Sequence, residues 1–183
     1  FGMKLMSDAL KPLRTYPPFI HLMKDLENPL LGILFGAGFT ALVQSSSATT
    51  GVLIVLAQKG LITLDAGIPV IFGANIGTCV TAVLAGIGAS REAKRVAIAH
   101  VMFKLAGVGL FILWIPQFAD AVGWLARQFG SGTARQLANA HTIFNVSIGL
   151  VFLPFISIFS KLIYFILPEK EVSRIHEIST HYI

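Results

Sequence analysis

Charge is what this chain has least of. Charged residues make up 13% of its 183 positions and hydrophobic ones 55%, too few charges to solvate the surface of a domain this size, which argues against an ordinary soluble fold. The acidic residues are scattered, and residues 30–58, 66–90, 105–118 and 136–160 contain no Asp, Glu, Lys or Arg at all. Cysteine is scarcer still: the single Cys79 excludes an intrachain disulfide and offers no thiolate metal cluster. The 14 Lys and Arg residues, which give a net charge of +5, form no dense patch interleaved with aromatics, so no nucleic-acid partner is expected. They sit mostly between the apolar runs, where flanking Lys and Arg set membrane topology. No basic start followed by a small-residue cleavage site opens the chain. It begins at Phe1 inside an amphipathic segment, and the expectation is a fragment or one half of something larger. What remains is an all-α, multi-pass integral membrane protein with the lipid bilayer as its surroundings.

The predicted units follow from the punctuation. Residues 1–13 read as the end of a helix stopped by Pro12, and residues 16–27 as a short interfacial helix. Residues 29–59 are long enough to cross once, but their middle reads Gln44-Ser45-Ser46-Ser47-Ala48-Thr49-Thr50-Gly51. Such a polar stretch makes a poor lipid-facing helix, because each polar group in hydrocarbon needs a partner, and Ser and Thr divert backbone bonds to their side chains. Two half-helices, about 30–43 and 48–58, meeting at a polar tip are therefore expected: a re-entrant hairpin. Residues 66–88 are apolar but interrupted at Gly73-Ala74-Asn75-Ile76-Gly77-Thr78, which predicts a broken helix with an unwound stretch there. Residues 90–95 read as a charged loop with an N-cap, 96–115 as a spanning helix ended by Pro116, and 117–133 as an amphipathic connection. A final spanning helix, 134–167, is expected to kink at Pro154, with a polar C-terminal tail over 169–183. Ala99-His100-x-x-Phe103-Lys104 is echoed by Ala140-His141-x-x-Phe144-Asn145.

Residues 44–50 carry the strongest chemical signal. Hydroxyls, an amide and freed backbone groups at the ends of broken helices replace the hydration shells of small ions; helix N-termini favour anions and C-terminal carbonyls cations. The competing reading is a small-residue packing surface. Residues 73–78 are either the second wall of such a site or a plain kink filled by a neighbouring helix. Lys104 lies about nine residues into a helix starting near Arg95, roughly 14 Å deep and close to the middle of a core about 30 Å thick. With no carboxylate at similar depth, its partner is an anion, a carbonyl or another chain, unless it snorkels along its own helix. His100 and His141 read as packing residues rather than proton relays, since no carboxylate accompanies either.

QSSSATTG, followed thirty residues later by GANIGT, resembles the type II sodium–phosphate cotransporters and their bacterial relatives. The likeness extends over FGMKLMSDALKPL, LLGILFGAGFTALVQSSSATTG, ITLDAGIPVIFGANIGTCVTAVLAGIGA and ARQLANAHTIFN. It implies one repeat, most similar to the second, of a transporter built from two inverted repeats with the site between them; a second repeat, from the same protein or another chain, would complete it. It further implies inorganic phosphate as substrate and sodium as coupling ion, with no other cofactor. Gln44, Ser45, Ser46 and Ser47 are the implied phosphate and sodium ligands, and Thr49, Thr50, Asn75 and Thr78 their neighbours. Sodium would be held by Gln44, Ser45, Ser47, Asn75 and Thr78. Relatives often carry Asn where this chain has Lys104, a cation that would support an anion or replace a sodium. The expected location is the plasma membrane, specifically a bacterial inner membrane. Two rival functions are an intramembrane serine hydrolase, with a tip serine as nucleophile and His100 or His141 as base, and a non-transporting channel or assembly subunit. The hydrolase lacks a Gly-x-Ser-x-Gly elbow and a buried acid to orient the His.

Overall fold

A computed structural model describes residues 1–169, with helices and no strand among them. The predicted tail therefore lies, beyond Glu169, outside the described residues. The chain opens with α1 (Gly2–Ala9), a 3-10 turn containing Pro12, and α2 (Pro17–Asp25). Asn28 then accepts from the backbone N–H groups of Leu30 and Leu31, capping α3 (Pro29–Val43), which turns 112° away from α2. α4 (Ser46–Gln58) follows after two residues, giving the predicted pair of helices broken at the polar segment. At the far ends of this pair the Thr63 hydroxyl donates to Glu27 Oε1 at 3.1 Å, so the chain leaves and returns at one place.

The next helices are α5 (Leu64–Gly77), capped by Thr63, and α6 (Cys79–Gly86). Here an expectation is corrected: Gly73 to Gly77 are helical, and Thr78 alone separates α5 from α6, itself with right-handed helical backbone angles. The glycines serve approach rather than unwinding. A Cβ on Gly73 would lie 2.1 Å from the Ile33 carbonyl oxygen, and one on Gly77 2.5 Å from that of Ala37. From the other side, a Cβ on Gly36 would lie 2.1 Å from Val70 O and one on Gly32 2.5 Å from Pro69 Cβ. Each helix thus presents two glycines four residues apart to the other, and their backbones touch as small-residue faces allow in membranes.

Ser90 caps α7 (Arg91–Phe111), so the predicted charged loop is this helix's first turns instead. Charged residues with good helix propensity gain backbone bonds there; Glu92 and Lys94 stay exposed, while Arg95 is buried. Arg91 donates to Pro168 O, and Arg95 donates to Leu167 O at 3.0 Å with its guanidinium over the Tyr164 ring. Pro116 begins α8 (Ile115–Gln128) rather than simply ending a span, as suits a residue without an N–H in a first helical turn. Ile115, Phe118, Ala119, Val122 and Ala126 form its buried stripe. α9 (Thr133–Phe152) and α10 (Ile156–Ile166) are separated by a 3-10 turn at Leu153–Phe155, the predicted break at Pro154.

Phe72 of α5 is fully buried, with ring centroids 4.5 Å from Phe144, 5.6 Å from Phe118 and 6.1 Å from Phe111. This aromatic knot gathers α5, α7, α8 and α9 one turn from Asn75. Outside it the surface is apolar: Leu42 and Phe165 are 87% and 83% exposed, a surface that water penalises and lipid does not. Among the described residues three helical stretches, Leu64–Gly86, Arg91–Gln128 and Thr133–Ile166, are long and apolar enough to cross a membrane, or four with the bent pair Pro17–Asp25 and Pro29–Val43.

Candidate functional site

The turn between α3 and α4 is built on one residue with unusual backbone angles. Gln44 has φ 57° and ψ 25°, the left-handed region that ends helices and that a non-glycine residue seldom enters. Ser45 follows in extended geometry, and its hydroxyl accepts from the Ala48 N–H at 3.2 Å, starting α4. The C-terminal carbonyls of α3 and the first N–H groups of α4 therefore meet within two residues. The N–H groups of Ser46 and Ser47 have no hydrogen-bond partner among the described residues, as expected in a first helical turn. Gln44 and Ser47 are exposed, Ser45 and Ser46 partly buried.

Behind the tip the polar side chains are satisfied. Thr50 donates to Ser46 O at 2.8 Å and Thr49 to Ser45 O at 3.1 Å. Thr49 also shares a 2.7 Å hydroxyl–hydroxyl contact with Thr40 of α3, both being essentially inaccessible. Thr40 in turn lies against Gly77, the end of α5. Sequence reasoning passed over Thr40; one Thr in an apolar run gives no signal until the facing helix is known.

A second polar cluster joins α5, α7 and α9. Lys104 Nζ donates to Asn75 Oδ1 at 2.7 Å and to Asn145 Oδ1 at 2.8 Å. Its partners are amide carbonyls of its own chain on two other helices, so Lys104 reaches across to α5 and α9 and does not snorkel out along its own helix. Each asparagine is oriented by its other end: Asn75 Nδ2 donates to Ile71 O and Asn145 Nδ2 to His141 O, both one turn back. With the nitrogens so engaged, both oxygens face the ammonium. Asn145 was not among the predicted site residues, although it is Lys104's counterpart in the internal echo. Thr78 donates to Ala74 O at 2.9 Å. No side-chain hydrogen bond joins Gln44, Ser46 or Ser47 to Asn75, Thr78 or Lys104 among the described residues; the two clusters meet through α5, which carries Asn75 in one and touches Thr40 of the other through Gly77. The Nε2 of His100 is buried without a partner, and neither His100 nor His141 bonds a tip serine among the described residues.

These features define a multi-pass, all-helical membrane protein with polar groups held between its helices. A family model described as Na+/Pi-cotransporter matches residues 1–134. The chain belongs to the Na+/Pi-cotransporter family, as its sequence motifs led one to expect. It is 33% identical over 169 residues to the uncharacterized protein YqeW of Bacillus subtilis (strain 168), covering 92% of this chain and 53% of that protein. It is 41% identical over 109 residues to human sodium-dependent phosphate transport protein 2C, covering 57% of this chain and 18% of that protein. Human sodium-dependent phosphate transport protein 2B is 41% identical over 90 residues, 47% of this chain and 13% of that protein. The chain thus spans about half the length of the Bacillus protein and less of the human ones. The family's description and the names of the human relatives are those of transporters, not of enzymes. No solved structure matches it significantly.

Proposed function

We propose that this chain forms one half of a sodium-coupled inorganic phosphate symporter, a second repeat completing the site. The observation that carries the reading is the junction at Gln44 and Ser45. There the carbonyl end of α3 and the N–H end of α4 meet, offering cation and anion ligands side by side. Ser46 and Ser47 supply N–H groups and hydroxyls to phosphate; Gln44, Ser45 and the α3 carbonyls favour sodium. Thr49 and Thr50 brace the turn, and Asn75, Thr78 and Lys104 form the wall behind it. Covalent chemistry is not required: the protein replaces hydration shells and alternates access.

The hairpin is re-entrant in this reading. α3 and α4 are about 22 and 20 Å long at 1.5 Å per residue, each short of a core about 30 Å thick, and the Glu27–Thr63 hydrogen bond holds their outer ends together. Glu27 and Lys59 then share one side of the membrane and Arg91, Lys94 and Arg95 the other. The basic side is cytoplasmic in this reading by the positive-inside rule, in a bacterial inner membrane. Single cysteines at 27 and 59 should label from the same face; labelling from opposite faces removes the hairpin. The function itself is tested by labelled-phosphate binding and uptake with sodium or choline, using the chain alone and joined to a second repeat. Sodium-independent binding in both preparations would refute it. The hydrolase reading draws no support from the site, since Ser45 caps a helix and no His bonds a tip serine among the described residues.

A further inference from the structure

The cluster of Lys104, Asn75 and Asn145 has the form of an ion site whose ion is a side chain. The ammonium is a unit charge between helices, and no ion pair among the described residues involves it. Two neutral amide oxygens, at 2.7 and 2.8 Å, are its ligands. They come from two different helices, α5 and α9, and each is aimed by an amide nitrogen bonded to the carbonyl one turn back. Asn75 is 1% exposed. Oriented neutral oxygens around a single positive charge are also what a hard monovalent cation needs in place of its water. Ordinary packing between helices would not require both asparagines to turn their oxygens to one point.

We propose that Asn75 and Asn145 form a monovalent-cation site that Lys104 occupies as a tethered cation. The inference rests on the transport reading only for its consequence: this half would carry a tethered ammonium there and couple one sodium fewer. The site itself stands on the geometry. It predicts that removing the ammonium leaves two aimed oxygens and a space that sodium fills from solution. The sequence echo is consistent with this arrangement, since position 104 carries the cation and its counterpart, 145, an oxygen ligand.

The test uses the full chain in detergent and sodium alone, without phosphate. Thermal unfolding is followed across a series in which NaCl replaces choline chloride at constant ionic strength. Lys104→Ala and Lys104→Ser should each gain a saturable rise in melting temperature with sodium, beyond any response of the parent, because a ligand bound only to the folded state stabilises it. In the double variant Lys104→Ala/Asn145→Ala that added response should disappear. If one variant folds only when sodium is present, the proposal is likewise supported. Variants that melt alike in both salts, or fold in neither, overturn it; so does an added sodium response that survives loss of Asn145. The parent's phosphate binding with and without sodium judges the transport reading separately, since its failure would leave the variants' gain of sodium binding untouched.

Discussion

The tip of the hairpin and the lysine cluster are both polar, but they satisfy their polar groups by opposite routes. At the tip each bond is local: Ser45 caps its own helix, and Thr49 and Thr50 bond carbonyls four residues back. Only the Thr40–Thr49 contact crosses between helices. What the local bonds leave over are helix-end groups, N–H on one side and C=O on the other. In the lysine cluster the essential bonds cross three helices, and the ammonium and both amide oxygens are already engaged with one another. A region satisfied from within its own sequence can expose backbone to a ligand without endangering the fold. One satisfied by its neighbours holds the fold together, and its groups are committed.

The contrast can be broken most severely at α5, which serves both regions. Gly73→Ala places a Cβ 2.1 Å from a backbone oxygen of α3, where neither partner can yield as a side chain would. It should destabilise the chain by on the order of 3 kcal/mol, as severe overpacking does, seen as a large fall in melting temperature. Next comes Asn145→Ala. Removing one of two oxygens from a charged donor should cost about 1.5–3 kcal/mol, again read by thermal unfolding, with α9 losing its hydrogen bond to Lys104 of α7. Thr49→Val keeps the volume but leaves the inaccessible Thr40 hydroxyl unpaired, for which a loss of about 1–2 kcal/mol is expected. The smallest stability change should follow Ser46→Ala or Ser47→Ala, within about 0.5 kcal/mol. Yet these are the variants expected to weaken phosphate or sodium binding, by about 0.5–1.5 kcal/mol for one hydrogen bond or 1.5–3 to a charged group. Isothermal binding at fixed sodium checks this. If the serine variants unfold early and bind normally, the distinction between the two regions fails.

Local rules made the tip legible in advance. A run of small hydroxyl residues inside charge-free sequence cannot remain a lipid-facing helix, so the break between α3 and α4 could be placed to within about two residues without tertiary information. The expected spans over 66–88, 96–115 and 134–167 follow from the uncharged runs for the same kind of reason and fall within or beside the apolar helical stretches 64–86, 91–128 and 133–166, and the family follows from the pairing of QSSS with GANIGT. Glycines misled the reading at residues 73–77. Flexibility and close approach call for the same residue, and only the presence of Gly32 and Gly36 on the facing helix shows that approach is the purpose.

What the sequence by itself determined, then, is an all-helical membrane chain, the place where its polar helix breaks, and its membership of a cotransporter family. Each of these depends on neighbours along the chain, where spacing and composition act directly. Tertiary structure decided that α5 runs on through its glycines, that Thr40 braces Thr49, and that Lys104 is held by Asn75 and Asn145, 29 and 41 residues away. Those bonds join helices whose relative placement no periodicity records, because the energy that fixes them comes from burying partners against each other.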